Sequence, residues 1–482
     1  MLSLVIIFPF VAAIALGLYP KKHLFLFLSI LGMMLLGFVG FKWWMSAGEL
    51  IEVRHWVGEF GIGYRLNLGG LSLLIISLLY LFLFYLGIFN EKVDESHNLA
   101  SSFLILGTIA GVVMSTDLIL FYLFFASLWW WLILLNRSKF GYSFYLPFML
   151  FDMLLLVTIL YGGVKIGSFS LAKWYGFSFP IIEESLLFWG FLGSCLARLF
   201  VFPFHTGFLN YTKNARSSLV IFLVMSGFSV SGLFAIYRFI IPIFKNASLI
   251  YSNYVILWAV ISIVYGLIVI GKRSTYQKMI ALIIMFESEL ALIGLFSFQE
   301  EAVMGSLMLM PAIIFGAGLL LSFSGRVVQR EGFIVEGRVN RWFLLLALIF
   351  VIGLPPSAGF VWGFYLFLGS FQIMPKLGAF MLLALWLWLM ISIYYFTIGG
   401  VEPQSANVRK NRYSLIIPLM LLVLFGVYPR AWISFVERET RSYFNENNLF
   451  RQQKKDLKSI NSAATIPSQR ILDNKLIVRG RR

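Results

Sequence analysis

Runs of about twenty apolar residues recur from one end of the chain to the other, and this recurrence restricts the fold more than any single motif. The hydrocarbon of a bilayer is about 30 Å thick and a helix rises about 1.5 Å per residue, so one crossing takes roughly 20 apolar residues. On that ruler the candidate spans are 2–18, 23–41, 71–90, 100–116, 117–135, 143–164, 185–208, 217–240, 251–271, 277–296, 302–325, 341–372, 376–398 and 414–430. The expected fold class is all-α, a polytopic membrane protein with about fourteen transmembrane helices. Composition agrees: 60% of the 482 residues are hydrophobic and 12% are charged, against about 25% charged in a soluble domain.

The segments between spans set the expected organisation. Residues 42–70 read as a longer loop, and 165–184 as a polar, amphipathic stretch at the membrane interface. From about Glu437 the chain turns polar and basic. The expected division is a transmembrane body, 1–436, and a tail, 437–482, lying extended or docked on a surface. The tail carries Arg451, Lys454, Lys455, Lys458, Arg470 and further basic residues, a composition that attracts anionic head groups such as those of cardiolipin. The net charge is +16. Its positive residues sit in loops and in the tail, which points to membrane orientation and away from nucleic acid. Loops after odd-numbered spans carry the excess of Lys and Arg, which expects them on the cytoplasmic or matrix side, although the basic tail opposes this orientation. The chain is hydrophobic from Leu2, with no Arg-rich leader before it. A mitochondrial version is therefore expected to be made inside the organelle.

Several chemistries find no support in the sequence. Cys195 is the one cysteine, so neither a disulfide framework nor a cysteine-held metal or iron–sulfur site is available. The four histidines have no metal-ligand spacing, and no glycine-rich phosphate loop opens a helix. No cofactor is expected to bind this chain.

Two spans are interrupted. Pro355 and Pro356 lie between Gly353 and Gly359, and Pro203 precedes His205. Proline removes an N–H and clashes with the preceding turn, and broken backbone at membrane depth survives only where protein or water satisfies it. Ionisable residues inside spans are costly and mark sites. Here they are Asp152, Arg198, His205, Glu287 and Glu289, with Lys278 at the start of its span. Each has a structural alternative as half of an inter-helix ion pair. Glu287 and Glu289, two apart, point to different helix faces. Asp117 reads as a helix-start charge.

The residues from Arg198 through Pro203 and His205 to Thr206 resemble the KxPxxPFHTWLP signature of subunit 4 of NADH:ubiquinone oxidoreductase. That subunit is an antiporter-like membrane subunit of respiratory complex I. The stretch from Ser217 to Pro242, the Gln277–Ala281 segment, Gly294 with its Leu-Phe-Ser-Phe, the Asp117–Phe125 helix start and the Gly353–Val361 break resemble further motifs of that family in the same order. The resemblance runs from about residue 100 to 430. It implies an antiporter-like fold with two broken helices and a role in proton translocation coupled to electron transfer. It also implies residence in the mitochondrial inner membrane, or alternatively a bacterial plasma membrane. NAD, FMN, iron–sulfur clusters and ubiquinone would be bound elsewhere in the complex. The implied partners are other membrane subunits, above all subunits 2 and 5.

The departures are as informative. The family's glutamate of the fifth helix falls at Ala126, its lysine of the broken helix at Arg198 and its central lysine at Val230. Two of its histidines fall at Glu287 and Ile313, and its glutamate after the second break at Gly363. Arg keeps its proton at any working pH, and Val, Ile, Ala and Gly carry none. The row of titratable groups is therefore expected to be interrupted. Arg198 is expected to need a buried counter-charge, Glu287 in preference to Asp152. A structural subunit that does not pump, or a cation/proton antiporter subunit, would share the fold.

Overall fold

In hydrocarbon a backbone N–H or C=O has no water to bond, so each apolar run must close its hydrogen bonds within itself. The computed structural model shows the result. It describes residues 1–46, 48, 50–57, 61–89, 96–135, 142–214, 218–270, 276–322, 328–330, 333–335, 345–349, 351–398 and 416–446. The helices are α1 (Leu2–Leu18), α2 (Lys22–Met45), α3 (Gly70–Phe89), α4 (Ser96–Met114), α5 (Leu118–Leu135), α6 (Tyr142–Ile166), the short α7 (Leu171–Tyr175) and α8 (Ile181–Arg198). After a break comes α9 (His205–Asn214), and then α10, residues 218–243, which has π-type turns over Leu223–Phe228 and Ile236–Ile240. The second half holds α11 (Lys245–Ile270), α12 (Tyr276–Phe296), α13 (Glu300–Leu321), α14 (Ala358–Ile373), α15 (Pro375–Ile398), α16 (Ile416–Val427) and α17 (Arg430–Glu446). Every expected span carries helix. Eight of the described helices are long and apolar enough to cross a membrane, and four more are shorter and apolar. The protein is a multi-pass membrane protein.

Burial sorts the helices into an inner and an outer set. α10, α12 and α13 are enclosed along nearly their whole length, whereas α2, α6, α11 and α15 are mostly uncovered. The outer helices show apolar stripes at helical spacing. On α6 one exposed stripe runs through Met149, Met153, Val157, Leu160 and Val164, a face that suits lipid as its solvent. Inner helices approach closely at small residues. A Cβ added to Gly369 of α14 would lie 2.3 Å from the backbone nitrogen of Ala302 on α13, and one added to Gly305 of α13 would lie 2.7 Å from that of Leu366 on α14.

The segment read as a loop at 42–70 contains a β-hairpin. β1 (Leu50–Val57) pairs antiparallel with β2 (Ile62–Leu68), and Gly61 in the turn takes φ +69°. The hairpin is tied to the helix ends beside it. Asp117 Oδ2 accepts from the Gly63 N–H at 3.1 Å, and its Oδ1 accepts from the Ile119 N–H at 3.1 Å. Asp117 thus caps α5, as expected of a helix-start charge.

The 436/437 boundary falls inside α17. This helix turns Trp432, Val436 and Thr440 inward at four-residue spacing and packs on α3 and α13. Glu439 Oε1 accepts from the Leu71 N–H at 2.9 Å, at the start of α3. The tail contacts expected after Glu446 lie outside the described residues.

Candidate functional site

Both breaks form where the sequence places them. α8 stops at Arg198, Phe200 takes φ +55°, the Phe202–Pro203 peptide is cis, and α9 begins at His205. In the second, residues 351–352 are helical, Gly353 takes φ +114°, the Pro355–Pro356 peptide is cis and α14 begins at Ala358. There Ser357 Oγ accepts from the Phe360 N–H at 3.3 Å and caps α14. The stretch expected as one span, 341–372, is therefore two helical pieces around a turn.

Arg198 is wholly enclosed, and its partner is Asp152 of α6. Nη1 and Nη2 each donate to one carboxylate oxygen, at 2.8 Å and 2.8 Å. Nη1 also donates to Ser194 Oγ at 2.9 Å, and Nη2 to the Phe125 carbonyl at 2.7 Å. The carboxylate is held further by the Ser194 hydroxyl and by Trp129 Nε1, which donates at 2.8 Å. The Phe125 ring lies under the guanidinium, 3.6 Å from Cζ to its centroid. This corrects the expectation that Glu287 would be the counter-ion. α6 packs along α8 and brings Asp152 to Arg198, whereas Glu287 faces α13. The forked geometry matches a carboxylate in two bonds.

On the far side of the same break, α11 satisfies the open backbone. The Phe202 N–H donates to Ser262 Oγ at 2.9 Å, and Trp258 Nε1 donates to the Phe202 carbonyl at 2.6 Å. The Ser262 hydroxyl in turn donates to Glu289 Oε1. One turn along α11, the Tyr265 ring sits 4.5 Å from that of His205, centroid to centroid. Lys278 lies near enough for its charge to act on His205. His205 Nδ1 and Glu289 Oε2 are buried and have no hydrogen-bond partner among the described residues.

Glu287 is on the opposite face of α12. Neither of its oxygens has a hydrogen-bond partner among the described residues. Its Oε2 lies 3.8 Å from where a Cβ would stand on Gly316 of α13, and that position is 3.0 Å from Val351 Cγ1. The structure thus joins Arg198 with Asp152 and sets His205 and Glu289 separately against α11, the first on Tyr265 and the second on Ser262. It sets Glu287 apart from them, toward the second break. Ser194, Trp129 and Ser262 escaped sequence reasoning. Ser194 had a signal, being four residues before Arg198 on the same helix face; Ser262 and Trp129 had none. Among the apolar replacements, Val230 and Ile313 are fully buried, and Ala126 nearly so. A Cβ on Gly363 would meet nothing within 4 Å, so this position faces outward from α14.

No family model matches the chain. Among curated proteins, it is 26% identical over 414 residues to NADH-quinone oxidoreductase subunit M of Rickettsia bellii, covering 80% of this chain and 83% of that one. It is 23% identical over 409 residues to NADH-ubiquinone oxidoreductase chain 4 of Chondrus crispus, covering 79% and 82%. Among solved structures, a chain of respiratory complex I from Thermus thermophilus superposes with a TM-score of 0.83 at 21% identity, over 92% of this chain and 99% of that one. A chain of the Mrp complex from Dietzia superposes with a TM-score of 0.76 at 15% identity, over 91% and 52%.

Proposed function

We propose that this chain, a homologue of the subunit M and chain 4 proteins with the antiporter-like fold of a complex I membrane subunit, contributes to proton translocation coupled to electron transfer from NADH to quinone. It sits in the membrane arm beside other membrane subunits, subunits 2 and 5 foremost, in a mitochondrial inner or bacterial plasma membrane. NADH oxidation and quinone reduction take place on other chains, with the NAD, FMN, iron–sulfur and ubiquinone sites that such chemistry needs. The carrying observation is the pair of broken helices with buried titratable side chains beside them, His205 and Glu289 at the first and Glu287 at the second, which keep polar atoms without a hydrogen-bond partner among the described residues. Polar, irregular backbone at membrane depth is the sequence pointer to an ion pathway.

In this reading Arg198 and Asp152 form a fixed ion pair. A guanidinium that keeps its proton, gripped by two carboxylate oxygens, a serine and a carbonyl, holds α5, α6 and α8 together and does not shuttle protons. The titratable part of the site is His205, Glu289 and Glu287, with Lys278 supplying positive charge nearby. A second reading, a structural subunit that does not pump, is favoured by the apolar burial at Val230 and Ile313.

The test is purification of the native assembly from membranes with an affinity tag on this chain. Co-purification of NADH-oxidising and iron–sulfur subunits, with proton uptake coupled to NADH oxidation, is expected. A tagged chain recovered alone, or only with antiporter subunits, overturns the complex I reading.

A further inference from the structure

α12 lies between the two breaks and turns one carboxyl toward each. On one face, Ser262 links Glu289 to the N–H of Phe202 in the first break. On the other, Glu287 Oε2 points at Gly316 of α13, against which Val351 also packs, and residue 351 is in the last helical turn before Gly353. A helix advances about 100° per residue, so side chains two apart point about 200° apart and cannot serve one neighbour.

Packing does not account for these two acids. Glu287 is 2% exposed and Glu289 0%, yet three of their four carboxyl oxygens have no hydrogen-bond partner among the described residues. A buried carboxyl retained for structure is expected to be fully bonded. Asp152 on α6 shows what that looks like. α10 packs against α12 and offers no acid or base from residue 218 to residue 236. Among the described residues, no group of three or more His, Cys, Asp or Glu could hold a metal ion.

We infer that Glu289 and Glu287 form a split carboxyl pair that carries protons across α12, from the turn at Phe202–His205 to the turn at Gly353. This deepens the proton-translocating reading and rests on it. In each passage the O–H bond of the Glu289 carboxyl breaks, and its electron pair stays on the oxygen. Water alongside α12 accepts that proton and releases another, and an O–H bond forms on Glu287. One carboxylate exists before and after, so no co-reactant is consumed. At the Glu289 end the direct partner is Ser262 of α11, and His205 and Tyr265 pack on each other at the same break. Gly316 and Val351 at the Glu287 end do not titrate. The pair does for α12 what its neighbour α10, apolar at Val230, does not do.

The experiment uses the intact NADH-oxidising complex in sealed vesicles, with Glu289→Gln, Glu287→Gln and, as a control, Glu300→Gln at the exposed start of α13. Both pair variants are expected to assemble and oxidise NADH, and each to lose the share of protons per electron that depends on this chain. Glu289→Asp is expected to recover part of it, and the control to match the parent. Infrared difference spectra of the parent, taken on NADH addition, are expected to show a carboxylic C=O change that Glu289→Gln abolishes. If the glutamine variants fail to assemble, the parent spectrum decides: no carboxylic change during turnover overturns the pair. Parental stoichiometry in both assembled variants also overturns it. If the chain is missing from the NADH-oxidising complex, the underlying reading fails instead.

Discussion

At the scale of single residues, Arg198 and Asp152 show how a membrane interior tolerates full charges. Each charge has its partner, and Ser194, Trp129 and the Phe125 carbonyl add further bonds to the carboxylate oxygens and to Nη1 and Nη2. Removing one partner leaves the other as an uncompensated buried charge, which costs about 3–5 kcal/mol, whereas replacing both with apolar groups of similar volume is often neutral. Asp152→Asn is therefore expected to lower the amount of assembled protein strongly, and the Arg198→Met, Asp152→Leu double variant to recover much of it. Native gels and thermal melts of the solubilised complex measure both. Because the pair is static, the recovered double variant is expected to pump like the parent; loss of pumping in a fully assembled double variant would show that the pair moves charge. Arg198→Lys is expected to behave like a partial loss, since one ammonium cannot reproduce the fork. The need for a counter-charge was legible in the sequence, but its identity was not. Asp152 and Glu287 are both buried acids in spans, and the choice between them rests on which helix lies along α8, a tertiary fact that hydropathy does not carry.

At the scale of elements, the spans were legible because one physical length, the hydrocarbon thickness, fixes them all, and the breaks were legible because proline and glycine have local consequences. The β1–β2 hairpin was missed although its signs were present. Leu50 to Val57 is rich in β-branched and aromatic residues, and Gly61 supplies a left-handed turn. A ruler of about twenty residues averages over strands of this length. The π-type turns in α10 left no sequence signal that was read. The second break also depends on an element far off in sequence. A Cβ on Gly426 of α16 would lie 2.1 Å from the Pro356 carbonyl oxygen, and backbone cannot rotate away as a side chain can. Gly426→Ala is thus expected to push α16 off the turn and to destabilise by about 1–3 kcal/mol. Gly37→Ala on exposed α2, where a Cβ meets nothing within 4 Å, is expected to be neutral or to stabilise by up to about 1 kcal/mol. Thermal melts of the two variants side by side check the contrast; equal melting temperatures would mean that α16 does not brace the break.

At the scale of the whole molecule, the last described helix closes the fold instead of beginning a separate tail. α17 lies across α3 and α13, which are far apart in sequence, and it buries Trp432 and Val436 there. Its Glu439 gives the first turn of α3 an acceptor for the Leu71 N–H, a donor that no intrahelical carbonyl can take. Tyr237 of α10 donates to the Glu439 carbonyl at 3.2 Å, so a third helix meets α17 at the same point. Burial of a large apolar side chain is worth on the order of 1.5–3 kcal/mol, and a charged cap adds about 1 kcal/mol. Losing α17 would therefore remove several kcal/mol from a body whose enclosed helices it helps to hold. A chain ending at Glu446 keeps all of these contacts and is expected to fold and assemble like the full-length chain, with any loss confined to contacts of the missing basic segment. A chain ending at Pro429 is expected to melt well below it and to assemble poorly. Glu439→Ala, in the full chain, is expected to fall between the two. Limited proteolysis and melting of the three proteins, each purified in its native complex, check the order. If the chain ending at Glu446 proved as unstable as the one ending at Pro429, the structural boundary would lie beyond α17, and the basic segment would belong to the folded body.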